Sequence, residues 1–405
     1  MERIILHCDC NSFFASVETA INPAYKDVPM AVCGRTEDRH GIVLAKNEIA
    51  KKYGIETAET VYSAKKKCPN LVICDAHHDK YIEYSRRVNH IYQEYTDLVE
   101  PFGIDESWLD VTASQRIFGD GMTIAEEIRQ RVKKEIGITV SIGVSFNKVF
   151  AKLGSDYKKP DAITEISRQN FKDIVFPLPV GDLLFVGRKT AQLLATMGIR
   201  NVGNLAATSK ELLKMKLGKA GEMLYNYANG LDDSPVAVPI EDSVKSISNG
   251  LTFKHDLVTR EESKIGIEYL SEEIGRKLRK KSLKCATVAL TIKDIYLRSI
   301  QRQRTLPEHT DITREIADVA YSILCDEWIE NKPIRMLTVS VSSLVESGAS
   351  FVQMDLFDDL DDRPRQKERK REETVDEIRA KFGEGSISTG AIISSDIGLT
   401  KRHIK

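Results

Sequence analysis

Apolar residues recur along this chain with two different periods, and the period decides the element. Residues 3–8 form an apolar run that ends at Asp9, as a buried strand does, and residues 13–20 follow with the spacing of a helix. Short apolar runs predict strands at 28–33, 41–45 and 71–75, with helices near 46–53 and 60–67 between them. From 79 to 97, Tyr81, Tyr84, Val88, Ile91, Tyr92 and Tyr95 return every three or four positions, which marks one face of a long helix. Val99 to Val111 reads as two strands joined by a tight acidic turn at Asp105-Glu106. A helix at 123–136, a strand at 138–145 and a helix at 147–156 complete a mixed α/β region.

The pattern then changes. Residues 167–233 are short helices broken at Gly187, Gly198, Gly203, Gly218, Gly221 and Gly230. Residues 234–243 carry two prolines and read as a linker. Between 244 and 346 the α/β alternation returns: a strand near 250–254, a helix at 261–280, strands near 285–294 and 299–304, a helix at 313–329 and a strand at 335–343. From 347 to 405 the chain is polar and charge-blocked, with one apolar island and a short helix at 374–382, and is expected to be mostly flexible. The expected class is a multidomain α/β (α+β) protein, and 405 residues suffice for two to four domains.

Composition narrows the setting. Hydrophobic residues make up 41% of the chain, enough to exclude disorder for its bulk, yet no apolar run approaches the ~20 residues of a membrane span. The N-terminus lacks the apolar stretch of a signal peptide. The seven cysteines are scattered and none forms a CxxC pair, which fits a reducing cytoplasm. His77-His78 has no thiol at zinc-site spacing, so no structural zinc is expected. The 59 basic and 60 acidic residues nearly cancel, but not locally: residues 244–304 hold 14 Lys and Arg against seven Asp and Glu. Such a patch suits a phosphate backbone, although a solvated charged helix would give the same count.

Three carboxylates carry the candidate chemistry. Asp9 ends a strand, while Asp105 and Glu106 share a hairpin turn. Brought to one sheet edge, they would repel one another unless a divalent cation intervened, and oxygen-only ligands favour Mg²⁺ or Mn²⁺. The segment Ser145 to Pro160 begins a helix after a strand and ends in Lys158-Lys159-Pro160, where lysines can meet a triphosphate.

Together these segments resemble the Y-family, translesion DNA polymerases, in particular the bacterial DNA polymerase IV type, over residues 1–345. The motifs are Asp9-Cys10-Asn11-Ser12-Phe13-Phe14-Ala15-Ser16-Val17-Glu18, then Gly103-Ile104-Asp105-Glu106-Ser107-Trp108-Leu109-Asp110, then Ser141-Ile142-Gly143-Val144-Ser145 running on to Lys159-Pro160. The resemblance implies a right-handed arrangement: palm at 1–10 and 76–166, fingers at 11–75, a helix-hairpin-helix thumb at 167–233 and a little finger at 244–346. It implies that Asp9, Asp105, Glu106 and the Cys10 carbonyl hold two Mg²⁺, with Mn²⁺ as a substitute. Phe13 and Phe14 would meet the nucleotide, Phe14 as a gate against a 2′-hydroxyl, and Lys159 would contact its triphosphate. Ser107 would border the primer end. The implied activity is low-fidelity, template-directed addition of dNTPs to a primer, without proofreading, by a cytoplasmic monomer. DNA contacts are expected at Gly187, Lys189, Gly218 and Lys219 of the thumb and at Lys254, Lys293, Arg298, Arg302 and Arg304 of the basic region. Gln353-Met354-Asp355-Leu356-Phe357 resembles the peptide by which bacterial polymerases dock on the sliding clamp, with Gln353, Leu356 and Phe357 as anchors.

One departure weakens the match. The family's fingers helix carries a Tyr and an Arg for the triphosphate, and here those positions are Glu48 and Lys51. Glu cannot donate to phosphate, and Lys replaces a bidentate fork by a point charge. Lys46 and Lys51 are the candidate substitutes. The departure gives weight to a rival, a non-catalytic DNA- and clamp-binding protein, while a third reading, a nucleotidyl cyclase-like palm enzyme without DNA, is disfavoured by the thumb-like glycines and the basic third region.

Overall fold

The structure is a computed structural model that describes residues 2–34, 41–238, 244–328, 332–347, 363–383 and 385–399. The chain divides into two compact units, Met1–Ile240 and Glu241–Lys405.

Eight strands are described in the first unit: β1 (Ile5–Cys10), β2 (Met30–Cys33), β3 (Val43–Lys46), β4 (Val72–Asp75), β5 (Val99–Pro101), β6 (Glu106–Asp110), β7 (Val140–Ser145) and β8 (Ile163–Ile166). Five form one sheet in the order β5-β6-β1-β7-β8, so the first strand of the chain lies at its centre. β1 runs antiparallel to both neighbours, with Asp9 opposite Glu106 on one side and opposite Ser141 on the other. The strand is buried along nearly its whole length because both its faces are covered. Leu6, Cys8 and Cys10 join the core under the helices Phe13–Ile21, His78–Gln93 and Gly121–Arg131. Ile5, His7 and Asp9 point the other way: Ile5 packs on Ala151 and His7 meets Ser155, both on the helix Lys148–Tyr157.

That second helix lies unusually close to the sheet. A Cβ on Gly143 would fall 1.8 Å from the Ala151 carbonyl oxygen and 2.5 Å from the Ser155 nitrogen, so only glycine fits there. On the helix side, a Cβ on Gly154 would lie 3.0 Å from the Gly143 Cα.

A smaller sheet, β3-β2-β4, and the helices Glu48–Lys52 and Val61–Lys67 enclose their own small core around Ala31, Val43, Ala64 and Leu71. Five short helices between Phe171 and Ala228 form a third core around Leu194, Leu205, Leu213 and Leu224. The first half of the expected linker is fastened down: Val236 is buried beside Trp108, and the Ala237 N–H donates to Glu100 at 2.7 Å.

The second unit is a four-stranded antiparallel sheet. Its strands β9 (Ser246–Leu257), β10 (Leu283–Asp294), β11 (Ser299–Thr310) and β12 (Ile334–Glu346) take the order β11-β10-β12-β9. Two helices, Arg260–Lys280 and Thr313–Glu327, cover one face. Thr259 and Glu262 cap the first of them reciprocally.

Three expectations need correction. The stretch 123–136 is α-helical only to Arg131 and continues as a π-turn to Ile136, and the short strand β8 was not anticipated. The larger difference concerns 347–405, expected to be mostly flexible. Arg363–Phe382 is a 20-residue helix seated on the second unit, and Ile392, Ile397 and Leu399 enter that unit's core. The helix has no apolar stripe and docks through charge. Arg279, nearly buried, donates to Asp376 at 2.6 Å and to Glu372, while Arg365 pairs with Glu315 at 2.7 Å. A hydrophobic pattern cannot announce a helix held this way.

Candidate active site

The register of the central sheet assembles the site. Because Asp9 faces Glu106 across the β1–β6 pair, both carboxylates project toward the Lys148–Tyr157 helix. The Cys10 N–H donates to the Asp105 carbonyl at 3.0 Å, which ties the acidic turn to the end of β1. Two lysines answer the charge. Lys159 donates to Asp9 at 2.6 Å and pairs with Asp156 at 2.6 Å. Lys152, one helical turn before Asp156, donates to Glu106 at 2.5 Å. His7 Nε2 lies 3.3 Å from the same Glu106 oxygen.

The three acids are not electrostatically equivalent. Burial, together with the charges of Asp9 and Glu106, pushes the Asp105 carboxyl up to about 6. Burial also acts to raise Glu106, but His7 and Lys152 outweigh it and bring that group down to about 2. Burial lowers His7, leaving its imidazole neutral at pH 7. Burial would lower Lys159 too, but Asp9 and Asp156 overcome that effect and hold its ammonium above the ordinary value.

Asp9, Cys10, Phe13, Phe14, Lys46, Glu48, Lys51, Asp105 and Lys159 line one cleft of about 380 Å³. Glu106 does not line it, being drawn aside by Lys152. Among the described residues, the only three metal-capable side chains whose ligand atoms all lie within 4.8 Å of one another are Glu18, Cys74 and His77, not the three acids of the cleft. The acids still fit a hard divalent cation. All their donors are oxygen, burial and the neighbouring Asp9 and Glu106 charges raise Asp105, and ammonium groups already sit against the other two.

Sequence reasoning placed Asp9, Asp105 and Lys159 together, and they are together. The segment expected to meet a triphosphate also carries Lys148. That ammonium is instead committed to Glu100, at 2.6 Å, and lies over the Trp108 ring. The position of Glu106 against Lys152 and His7 was missed, because it depends on the pairing of β1 with β6 and on a helix packed from elsewhere. At the helix Glu48–Lys52, Glu48 accepts from Lys51 at 2.6 Å and from Ser12 at 3.1 Å, and Lys46 donates to Thr57 at 2.8 Å. Ser107, expected beside the primer end, donates to Asn89 at 2.8 Å and is buried.

The expected nucleic-acid contacts separate in the same way. Gly187 and Gly218 each begin a helix with open space where a side chain would stand, and Lys189 and Lys219 follow them. In the second unit, Val288, Leu290 and Ile292 face the helices, and the alternation puts Lys293 on the opposite face of β10. That opposite face is rich in hydroxyl and amide groups, with rows such as Gln301, Thr291, Thr338 and Thr305, Thr287, Ser342, Ser246 crossing the strands. Lys254 lies on β9 and Arg298 in the turn between β10 and β11, beside Tyr296. Arg302 and Arg304 lie on the helix side, where Arg302 pairs with Glu327 at 3.1 Å and Arg304 with Asp326. Gln353, Leu356 and Phe357 fall outside the described residues.

The chain is similar to known proteins along most of its length. Residues 8–156 match the impB/mucB/samB family, residues 244–356 its C-terminal domain, and residues 181–232 the DNA polymerase-iota thumb domain. DNA polymerase IV of Acetivibrio thermocellus is 50% identical over 402 residues, covering 99% of this chain and all of that protein. DNA polymerase IV 1 of Bacillus subtilis is 36% identical, covering 98% of this chain and 95% of that protein. The chain belongs to the Y family of DNA polymerases, in its bacterial DNA polymerase IV branch. A solved Y-family DNA polymerase chimera, Dbh-Dpo4(243-245)-Dbh, shares the fold, with a TM-score of 0.76 over 85% of this chain and 99% of that one at 23% identity. The chain is a DNA-directed DNA polymerase, and nothing in these likenesses favours the rival readings. Polymerases of this family depend on divalent metal and bind DNA. Among the described residues no helix is long and apolar enough to cross a membrane.

Proposed function

We propose that this polymerase performs low-fidelity translesion synthesis in the cytoplasm, adding dNTPs to a primer 3′-hydroxyl without proofreading. The observation that carries the reading is the cleft itself, where Asp9 and Asp105 meet Lys159 at one end and Phe14 lines the wall. Asp9, Asp105, Glu106 and the Cys10 carbonyl would hold two Mg²⁺, or Mn²⁺, which supply activation of the attacking hydroxyl and charge neutralisation at the leaving pyrophosphate.

The remaining work falls to the protein. Lys159, already held toward the cleft, offers its ammonium to the triphosphate. Phe14 presents a flat apolar ring that neither accommodates nor hydrogen-bonds a 2′-hydroxyl. Gly187 and Gly218 leave open space for a DNA phosphate at the helix starts that follow them, and Lys293, Lys254 and Arg298 add charge along the second unit. Gln353, Leu356 and Phe357 would seat a single polymerase copy on the sliding clamp.

Primer extension on a primed template tests the reading. Extension with dNTPs and Mg²⁺, loss of it in EDTA, and DNA affinity that falls with added salt are expected. DNA binding without extension at any nucleotide concentration would instead favour a binding protein that keeps the fold.

Glu48 adds a second test. It places a carboxylate among the lysines of the cleft and holds Lys51 to itself. Glu48→Gln removes that competition with the triphosphate. The KM for dNTP is expected to fall about three- to ten-fold, with kcat within about two-fold, in steady-state assays.

A further inference from the structure

Glu18 is a carboxyl group only 3% exposed. It lies one turn after Phe14 on the helix Phe13–Ile21, so the two side chains share a face. The Phe14 ring stacks on Tyr81, with centroids 4.1 Å apart and planes 12° apart. Tyr81 is fully buried, and its hydroxyl donates to Glu18 at 2.5 Å while accepting the His77 backbone N–H at 3.1 Å. His77 Nδ1 is hydrogen-bonded to the same Glu18 oxygen at 2.9 Å. His78 stands edge-on to Phe14 with centroids 5.8 Å apart.

The circuit is closed. One helix supplies both the ring that lines the cleft and the carboxyl group that fixes the platform beneath that ring. The platform comes from the first turn of the helix His78–Gln93, whose N-cap is His77. Cys74 lies near enough to complete a metal-binding trio with Glu18 and His77. However, burial and the nearby Glu18 push its thiol up to about 11, and Glu18 is already engaged by Tyr81 and His77. The group is built to hold a ring rather than an ion.

We propose that Glu18 and His77 are positioning residues for sugar discrimination, fixing Tyr81 so that Phe14 stands at a set height over the sugar edge of the cleft. This inference rests on the reading of Phe14 as the gate. A hydrogen bond to the Tyr81 hydroxyl resists sliding of the stacked pair, which dispersion alone permits. A platform free to shift would let Phe14 yield to a 2′-hydroxyl while leaving the carboxylates and Lys159 untouched.

The test is the ratio of kcat/KM for a dNTP to that for the matching rNTP, with melting temperatures run in parallel. Phe14→Ala addresses the gate alone, and a large fall in the ratio is expected. Glu18→Leu keeps bulk but removes the acceptor, and should lower the ratio about five- to thirty-fold with a smaller change in dNTP turnover. Tyr81→Phe keeps the stack and loses only the hydroxyl, and should lower it about three- to ten-fold even if Glu18→Leu folds poorly. Glu18→Gln retains an acceptor oxygen and should restore most of the discrimination. If Phe14→Ala opens the site to rNTPs but folded Tyr81→Phe and Glu18→Leu discriminate like wild type, the positioning role is overturned. If Phe14→Ala itself changes nothing, the gate reading fails first and this inference with it.

Discussion

Asp105→Asn is expected to abolish primer extension, with kcat/KM falling about a thousand-fold or more, while the metal-free protein becomes harder to unfold. The activity loss follows from removing one of the carboxylates that would hold the divalent ions, an interaction worth several kcal/mol in the transition state. The gain in stability follows from the pKa. Burial, Asp9 and Glu106 push the Asp105 carboxyl up to about 6, so its charge is disfavoured in the folded chain. For an acid raised on folding, that cost is fully present above the folded value and vanishes below the unfolded value of about 4. In EDTA, the variant should therefore exceed wild type in melting temperature above pH 6, and the two should converge as the pH falls through that window to 4. Glu106→Gln should lose activity to a similar extent, but with the opposite effect on stability. Lys152 and His7 hold Glu106 at about 2, so its charge favours the fold and its removal leaves the Lys152 ammonium without an anion. Equal stability changes in the two variants would contradict this account of the cluster.

Gly143→Ala is expected to cost about 3 kcal/mol or more, a large share of the stability of a single unit. The added methyl would meet the backbone of the Lys148–Tyr157 helix at 1.8 Å, and backbone cannot rotate out of the way as a side chain can. The helix must move off the sheet, taking with it Lys152 and the Ser155 contact to His7. Activity should fall alongside stability. Thermal unfolding of the variant, compared with Gly187→Ala, makes the check. A methyl on Gly187 would have no heavy atom within 4 Å, and the backbone angle there is open to any residue, so that variant should melt like wild type.

The elements whose side chains alternate or recur on one face were legible from the pattern alone. β1, β7 and the helices at 78–93 and 260–280 lie within a few residues of expectation, because each carries a regular apolar face into a core. Elements without that signature were not. β8 is four residues long, and the helix Arg363–Phe382 is held by Arg279, Arg365 and their acidic partners rather than by apolar contacts. The same division runs through the site. Asp9, Asp105, Glu106, Phe14 and Lys159 stood out because their spacing resembled a family. The uses of Lys152, Lys148, Glu18 and Tyr81 depend on which strand lies opposite which, and on how a helix from another part of the chain is seated. Neither is written in a local period.

The seating of Arg363–Phe382 through the pairing of Arg365 with Glu315 makes that contact sensitive to ionic strength in a way the apolar core of the same unit is not.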